Sequence, residues 1–507
     1  MRFLEDGPNI PDRLLQERDA GRVVFLCGAG VSMPFLPNFQ DLTQYVIDQL
    51  KPSLESPAHQ AFEAWSQPQD EALFSFPMSL DQIFNLLQME FGRDKINLNV
   101  AKCLTARKLL PENHDHHGIV ARISTDGDGT PQIVTTNFDL LFEAAIPTAR
   151  THTPPSFPDL KHGMSLSGIT YLHGRLDDSY NTSHDYILSS SDFGRAYLVQ
   201  GWATNFVRQL LERYTVVLLG YQAEDPPIKY LLQGLNSSYE YVRDRIYAFD
   251  QGSADEVQSK WADRGVTPIP YGGGPDHSTL WNTLGEWAKR ADNPKQWRQS
   301  VINIAQKRPH MCRPHERGMV VHLANTTIGA KEFADAKPTP PADWLCVFDK
   351  YVRYGQPAKV TAGEEKEFDP QCAFGIDSDP PRPEPKPMGF QLTDCEDPIN
   401  WKHGDESLDY TERLAGLNRP VFSARLRHLA RWAVSQIDQP ILAWWVARQH
   451  QLHPAMLENL DRQIDSATNL SRETKATWRI IVEALRNPQV DPPSHQSLAC
   501  RRRRYLG

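Results

Sequence analysis

The chain has 507 residues, with 54 basic and 63 acidic side chains and a formal net charge of −9. This length predicts about two or three domains and permits a large buried core. The acidic balance argues against a nucleic-acid backbone as the main partner, because such binding needs a concentrated basic face. The basic run Arg501–Arg504 is typical of a solvated tail.

The compartment is predicted from apolar runs and cysteines. The first residues contain no apolar stretch typical of a secretory signal, and no apolar run reaches the roughly 18 residues that span a bilayer. An odd, dispersed set of cysteines indicates reduced thiols, so we expect a cytoplasmic protein without a membrane partner. No two cysteines form a Cys-x-x-Cys pair, since they stand at Cys27, Cys103, Cys312, Cys346, Cys372, Cys395 and Cys500.

Short apolar runs alternate with helical patterns over residues 1–295. Runs typical of buried strands are Arg22–Cys27, Gln132–Thr135, Ile169–Leu172, Thr215–Leu219 and Arg245–Phe249. Helical spacing follows at 42–50, 140–145, 202–213 and 278–288. Helical patterns without a strand signal fill 79–108, which predicts a helical insertion. The fold class predicted is α/β, with a Rossmann-like, mostly parallel sheet.

The remainder of the chain has a different pattern. Residues 338–404 are rich in proline and poor in periodicity, so 296–419 are interpreted as a linker and irregular region. Residues 420–507 are predicted to be helical, with Leu426, Leu429 and Ile437 on one face. The tryptophans of this region predict a helical core, and they are Trp432, Trp444, Trp445 and Trp478.

A glycine-rich turn follows the first strand. In the segment Gly28-Ala29-Gly30-Val31-Ser32, glycines would let the backbone approach a pyrophosphate, and a following helix would offer free N–H groups to the anion. A tight strand–helix turn without a ligand is the alternative. The acidic residue that binds a ribose in dehydrogenases is not evident about 20 residues further on, which disfavours an ordinary dehydrogenase.

Three further segments place polar residues after strands. The first, Thr135-Thr136-Asn137-Phe138-Asp139, would face the crevice at the carboxyl edge of the sheet, although an ordinary turn and helix cap is the alternative. The second, His173-Gly174, offers a base if the imidazole lies in a pocket, or a structural histidine if it does not. The third breaks a strand at Gly220 and reaches Asp225.

Together these segments resemble the sirtuin family, and in particular the bacterial sirtuin-like branch that hydrolyses NAD in anti-phage defence. The resemblance rests on G-A-G-x-S at 28–32, L-P-x-F at 36–39, T-T-N-x-D at 135–139 and L-H-G at 172–174. It implies that Asn137 holds the nicotinamide ribose and the attacking water, and that His173 is the base near the ribose hydroxyls. Residues implied to bind NAD are Gly28, Ala29, Gly30, Ser32, Phe39, Thr136, Asp139, Gly220 and Asp225.

Two departures from the deacetylating sirtuins bear on activity. Those enzymes carry a zinc ribbon of two Cys-x-x-Cys pairs, which this chain lacks. They also have Gln where Thr136 stands and an acidic–aromatic–Arg trio where Asn38-Phe39-Gln40 stands. The histidines of His114–His117 and of His310–His315 are interpreted as helix starts and loops, so no metal is expected.

The resemblance therefore implies an NAD⁺ glycohydrolase with NAD as its substrate. Two other hypotheses stay open: a module that binds NAD or ADP-ribose without turnover, and a protein deacylase or ADP-ribosyltransferase. By analogy with defence proteins, the C-terminal region would sense a phage protein or mediate assembly into a homo-oligomer. Nucleic acid is not expected as a partner.

Overall fold

The structure is a computed structural model, and it describes the chain with gaps. The described residues are 1–67, 78–105, 115–154, 156–161, 165–177, 186–223, 225, 228, 230–232, 245–262, 264–348, 423–447 and 452–487. The chain divides into two compact units. The first unit comprises residues 6–293, and the second comprises residues 1–5 together with 294–507.

One parallel sheet organises the first unit. Its order is β3-β4-β2-β1-β5-β6-β7, and each neighbouring pair is parallel. Cys27 at the end of β1 pairs with Thr135 on β2 and with Leu219 on β5, so three central strands end at one level. The strands are β1 (Val23–Cys27), β2 (Gln132–Thr135), β3 (Thr151–His152), β4 (Gly168–Tyr171), β5 (Thr215–Leu219), β6 (Ile246–Gln251) and β7 (Thr267–Tyr271).

The central strands form where continuous apolar runs occur. Every residue of β1, β2, β4 and β5 is buried, as expected for parallel strands that are covered on both faces. The prediction of an α/β fold with a mostly parallel sheet is confirmed. The edge strands β3 and β7 were not predicted. Pro268 and Pro270 interrupt β7, and proline is tolerated there because an edge strand has one row of N–H positions without a ladder partner.

Helices surround the sheet. They are α1 (Asp12–Asp19), α2 (Phe39–Leu50), α3 (Pro57–Ser66), α4 (Leu80–Phe91), α5 (Arg93–Thr105), α6 (Asp115–Ile123), α7 (Leu141–Ala145), α8 (Ser190–Phe193), α9 (Trp202–Arg213), α10 (Ala254–Trp261) and α11 (Ser278–Asp292). A six-residue π-helix, Gly194–Val199, follows α8. The predicted helical insertion is confirmed as α4 and α5, which share an apolar cluster with α2 and α3; residues 106–108 lie outside the described chain.

The turn after β1 differs from the expectation. A short 3-10 turn, Ala29–Val31, follows the strand, and the long helix α2 begins only at Phe39. Asn38 caps α2, because its side-chain oxygen accepts a hydrogen bond of 2.8 Å from the N–H of Asp41. The expected helix N-terminus is therefore separated from the glycines by several residues.

The second unit is helical. Its helices are α12 (Pro294–Ala305), α13 (Pro314–Ala324), α14 (Thr327–Asp335), α15 (Trp344–Phe348), α16 (Ala424–Val434), α17 (Pro440–Val446), α18 (Pro454–Ser466) and α19 (Arg472–Arg486). The linker predicted over 296–419 is wrong for 296–348, because α12 to α15 occupy that stretch. Apolar residues there, such as Val301, Val320 and Phe333, pack in one core with α16.

Tryptophans fill the core of the second unit. Trp432, Trp445 and Trp478 are buried as predicted, and Trp344 joins them. The side chain of Trp444 lies outside the described residues, as do Arg501–Arg504 and residues 349–422, which include most of the proline-rich segment 338–404. Within the described residues, no helix has the length and apolar character needed to cross a bilayer.

Candidate functional site

A cavity of about 820 Å³ lies at the carboxyl ends of β1, β2, β4, β5 and β6. In open parallel sheets, ligands bind at this edge, near the point where the strand order reverses. The cavity brings together residues that are far apart in the sequence, and every candidate site residue lines it except Gly28. Those that line it are Ala29, Gly30, Ser32, Phe39, Thr136, Asn137, Asp139, His173, Gly220 and Asp225.

The glycines after β1 and β5 pack directly against each other. A Cβ atom on Gly28 would lie 2.5 Å from the Tyr221 ring, and one on Gly30 would lie 2.8 Å from the Cα of Gly220. Gly220 itself has φ +74°, and a Cβ there would lie 2.7 Å from the backbone N of Val31. The glycine pattern is therefore already required by the contact between two turns of the protein. This contact explains why Gly28 does not face the cavity.

The backbone N–H groups of the glycine turn are largely occupied. Those of Gly28 and Gly30 donate to the carbonyls of Leu219 and Gly220, at 2.9 and 3.1 Å. Those of Val31 and Ser32 donate within the turn, at 3.1 and 3.0 Å. Residues 28–32 therefore offer few free N–H groups to a pyrophosphate, and the helix expected to offer them begins only at Phe39. Within residues 28–32 of the described chain, the Ala29 N–H is the one without such a bond, and it lines the cavity.

Asn137 is fixed by three hydrogen bonds. Its side-chain Nδ2 donates to the Gly28 carbonyl and to Ser32 Oγ, both at 3.1 Å. Its backbone N–H donates to Thr135 Oγ1 at 3.0 Å. Both amide hydrogens are thereby used, so the side-chain oxygen is the atom left to accept a hydrogen bond from a ligand. The interpretation of 137–139 as an ordinary turn does not account for an amide directed at the glycine turn.

A buried network links Ser32, Asp139 and His117 beside Asn137. Ser32 Oγ donates to Asp139 Oδ2 at 2.9 Å and lies 3.2 Å from His117 Nε2. Because the hydroxyl hydrogen goes to Asp139, His117 Nε2 carries the proton and donates to Ser32. Burial raises the pKa of Asp139, and the hydrogen bonds from the Leu141 N–H and Ser32 partly offset this rise. The network holds Ser32 and Asn137 in one geometry.

Thr136 is tied to the neighbouring strand turn. Its hydroxyl lies 2.7 Å from Tyr221 Oη, which donates to the Cys27 carbonyl at 3.1 Å. Thr136 therefore donates to Tyr221. The same carbonyl accepts from the Thr136 N–H at 3.0 Å and from Thr135 Oγ1 at 3.1 Å. These bonds lock the turns after β1, β2 and β5 together, since Tyr221 also covers Gly28.

His173 is a buried, neutral imidazole. It is 2% exposed, and its Nε2 lies 2.6 Å from Tyr197 Oη. The rings of Phe193 and Tyr197 meet it edge-on, with centroids 5.4 and 5.7 Å away. Burial lowers the pKa of His173 to about 3, although nearby Asp192 opposes this effect. A histidine with such a pKa is a weak base, which departs from the role that the family resemblance implies.

Phe39 and Asp225, two other candidate site residues, also line the cavity. Phe39 packs against Phe84 with ring centroids 5.2 Å apart, at the end formed by the helical insertion. Asp225 closes the turn after β5, because its carboxylate accepts from the Gln222 N–H at 2.6 Å. Burial raises the pKa of Asp225 to about 6, with a further contribution from Asp250. The resemblance implies that Asp225 supports either the adenosine side of NAD or the local turn, and this geometry favours the local turn.

Several residues of the site were not predicted from the sequence. His117 belongs to a histidine cluster that was interpreted as a helix start, and Tyr197 lies in the π-helix. Asp250 lies next to the last residue of β6, lines the cavity and accepts from Trp261 Nε1 at 2.9 Å. In the described chain five helices separate β1 from β2, so no local spacing after the glycine turn points to Asp250. Within the described residues, no three His, Cys, Asp or Glu side chains group as a metal site would.

Comparison with known proteins supports the resemblance to the sirtuin family in general. Residues 131–269 match the family model of the SIR2-like domain, which spans β2 to the start of β7. The match and the parallel sheet together give a Rossmann-like SIR2 fold. SIR2-like domains bind NAD and are commonly NAD-dependent enzymes, so the match supports an NAD-related activity. Asn137 and His173 lie inside the matched residues of the SIR2-like domain, whereas the glycine turn precedes them.

A curated relative is similar over a longer stretch. The uncharacterized protein y4cA of Sinorhizobium fredii (strain NBRC 101917 / NGR234) is 34% identical over 321 residues. The alignment covers 60% of this chain and 25% of the relative. The chain thus spans about a quarter of the length of that protein, and the similarity extends beyond the residues matched as SIR2-like.

Proposed function

We propose that the protein hydrolyses NAD⁺ to nicotinamide and ADP-ribose. The observation that carries the proposal is the arrangement of Asn137 at the carboxyl edge of the sheet. Its amide hydrogens are held by the protein, and its oxygen is left to accept from a ribose hydroxyl or a water. The cavity beside it, about 820 Å³, is of the size that ligand sites occupy.

The reaction suits these residue types. The C–N bond between ribose and nicotinamide breaks with its electrons on nicotinamide, and a water oxygen bonds to the ribose carbon and loses a proton to solvent. The transition state resembles a ribose cation, so placement of ribose and water contributes more than a strong acid. Ser32 and Asp139 support this placement through Asn137. The Ala29 N–H would donate a hydrogen bond to one oxygen of the pyrophosphate.

Hydrolysis is favoured over protein deacylation by the sequence. The zinc ribbon that frames an acyl-peptide cleft requires close cysteine pairs, and the chain contains no Cys-x-x-Cys. Thr136 also stands where deacetylating sirtuins have Gln, and the structure engages its hydroxyl with Tyr221 rather than leaving it for a substrate. A hydrolase needs water as its second substrate and no peptide cleft.

The biological role that we propose is depletion of NAD in anti-phage defence. This part of the proposal rests on the resemblance of the four motifs to the defence branch. It includes a cytoplasmic location, a homo-oligomer and a phage protein as trigger, recognised by the C-terminal region. The helical second unit offers a separate body for such sensing.

The test is nicotinamide release from NAD⁺ by the purified full chain, in each oligomeric fraction, with and without lysate of phage-infected cells. Asn137→Ala and His173→Ala are expected to lower the rate by about 100-fold or more, as loss of a placed polar group in an active site does. Asn99→Ala is the matched control, because Asn99 is a buried asparagine on α5 whose Nδ2 bonds to the Lys95 carbonyl outside the cavity.

Each alternative has its own outcome. Full activity in both site variants would contradict the site. Tight NAD binding without product under every condition would favour a binding module. Transfer of label from NAD to protein would favour a transferase.

A further inference from the structure

The imidazole of His173 has a partner outside the cavity. His173 lines the cavity and Tyr197 does not. Because Nε2 is the ring nitrogen that contacts Tyr197, Nδ1 is the ring nitrogen left for a ligand. The Nε2–Oη distance of 2.6 Å is that of a full hydrogen bond. Both side chains are buried, at 2% exposure each. The contact is therefore made in the protein interior rather than on a mobile surface.

The proton of this hydrogen bond can be assigned. Burial raises the pKa of Tyr197, so its hydroxyl stays protonated. Among the hydrogen bonds of the described residues, the partner of that hydroxyl is His173 Nε2. A buried O–H without an acceptor is costly, so Tyr197 donates and Nε2 accepts. A neutral imidazole that accepts through Nε2 carries its hydrogen on Nδ1.

Tyr197 is itself held in place. It lies in the π-helix Gly194–Val199, and its carbonyl accepts from Thr204 Oγ1 at 2.7 Å. Phe193, the last residue of α8 and directly before this segment, meets the His173 ring edge-on and stacks on Tyr230 with centroids 5.3 Å apart. π-Helical turns are rare and are frequent at functional sites. The backbone, the hydroxyl and the aromatic neighbours all fix one geometry.

We propose that Tyr197 is a positioning residue that sets the Nδ1–H tautomer of His173, so that His173 donates a hydrogen bond to the substrate instead of acting as a base. The inference rests on the proposed function for its substrate, NAD⁺, and on the described geometry for the tautomer. An Nδ1–H aimed at a ribose hydroxyl oxygen or at water holds that atom next to Asn137. His173 then removes no proton from the substrate. Proton removal is not required, because nicotinamide is a good leaving group.

The tautomer can be measured without any activity. In the full chain with ¹⁵N-labelled histidine, long-range ¹H–¹⁵N correlation spectra distinguish a protonated Nδ1 from a protonated Nε2, and loss of one signal set in His173→Asn assigns it. We expect a protonated Nδ1 in the wild type and a shift towards protonated Nε2 in Tyr197→Phe. Tyr214→Phe is the matched control, because it also removes a buried tyrosine hydroxyl. That hydroxyl lies away from the cavity and accepts a hydrogen bond of 3.1 Å from the Leu166 N–H.

Activity supplies a second test. An asparagine amide can place its NH₂ where Nδ1–H lies, whereas a glutamine amide reaches the Nε2 position, so His173→Asn should retain more nicotinamide release than His173→Gln. Tyr197→Phe should lower kcat by about 10- to 100-fold, the range for loss of the partner that orients a functional histidine. In the His173→Asn background it should have no further effect, because no tautomer remains to be set.

The outcomes separate the two proposals. A protonated Nε2 in the wild type, or an unchanged tautomer in Tyr197→Phe, overturns the role of Tyr197 whether or not NAD is cleaved. Additive effects of Tyr197→Phe and His173→Asn would also overturn it, since they indicate a structural role. A protonated Nδ1 in a chain that never releases nicotinamide would support the tautomer and contradict the hydrolase.

Discussion

Replacing Gly220 by alanine is expected to destabilise the first unit by about 2–5 kcal/mol. Alanine at φ +74° costs about 1–2 kcal/mol, because the Cβ approaches the following carbonyl. The new Cβ would also lie 2.7 Å from the Val31 N and 3.1 Å from the Gly28 carbonyl oxygen. Backbone atoms cannot rotate away, so the overlap adds about 1–3 kcal/mol. The turns after β1 and β5 would separate, and NAD affinity should fall with them.

The strain and the overlap can be separated by a second glycine. Gly129 has φ +82°, and a Cβ there would meet nothing within 4 Å, so Gly129→Ala should cost the strain alone. Hydrogen exchange of the β1 and β5 amides in the full chain reports the free energy of unfolding of this unit. Equal losses in Gly220→Ala and Gly129→Ala would refute the argument that the glycine turns pack backbone against backbone.

Three further predictions follow from the same geometry. His173 has a pKa of about 3 when folded and about 6.5 when unfolded, so stability is lost as the pH falls below 6.5. Between pH 7 and 5 the free energy of unfolding should fall by about 2 kcal/mol, as measured by urea denaturation. His173→Gln should lack this fall. An equal pH dependence of the free energy of unfolding in wild type and variant would contradict the effect of burial on the pKa of His173. Ser32→Ala should lower the rate of nicotinamide release from NAD⁺ about 10-fold or more, because Asn137 and Asp139 lose their common partner. Trp344→Ala should cost about 3–5 kcal/mol in calorimetry of the second unit, with Ile328→Ala, at 60% exposure, as the near-neutral control.

The parts of the fold that depend on local pattern were predictable. Strands β1, β2 and β5 are buried on both faces, so they appear as continuous apolar runs. Strand β7 was not predictable from its sequence. It contains Pro268 and Pro270, and prolines are typical of a strand only at the edge of a sheet, a position that the sequence alone does not reveal. The helices of 296–348 were not predicted, because Pro309, Pro314 and Pro338 interrupt the apolar spacing of that stretch.

The site was predictable in its composition but not in its contacts. The order of the motifs brought Asn137 and His173 to one edge of the sheet, as strand-end placement implies. The bonds that decide their chemistry come from segments distant in sequence. His117 reaches Ser32 across 85 positions, and Tyr221 reaches Thr136 across 85. No local sequence pattern contains such pairings. The glycines were predicted as a place where the backbone approaches a pyrophosphate, whereas in the structure they let the turns after β1 and β5 pack against each other.

The π-helix makes the site depend on the length of the chain as well as on residue types. A π-turn accommodates one residue more than an α-turn, and each residue of an α-helix turns the chain by about 100°. Removing one residue from Gly194–Val199, for instance Val199, would let the segment close as an α-helix and rotate Tyr197 away from His173 while α9 stayed in place. A single-codon insertion could therefore have added the tyrosine–histidine pair to a pre-existing cavity, and a single-codon deletion could remove it without altering any residue that lines the cavity.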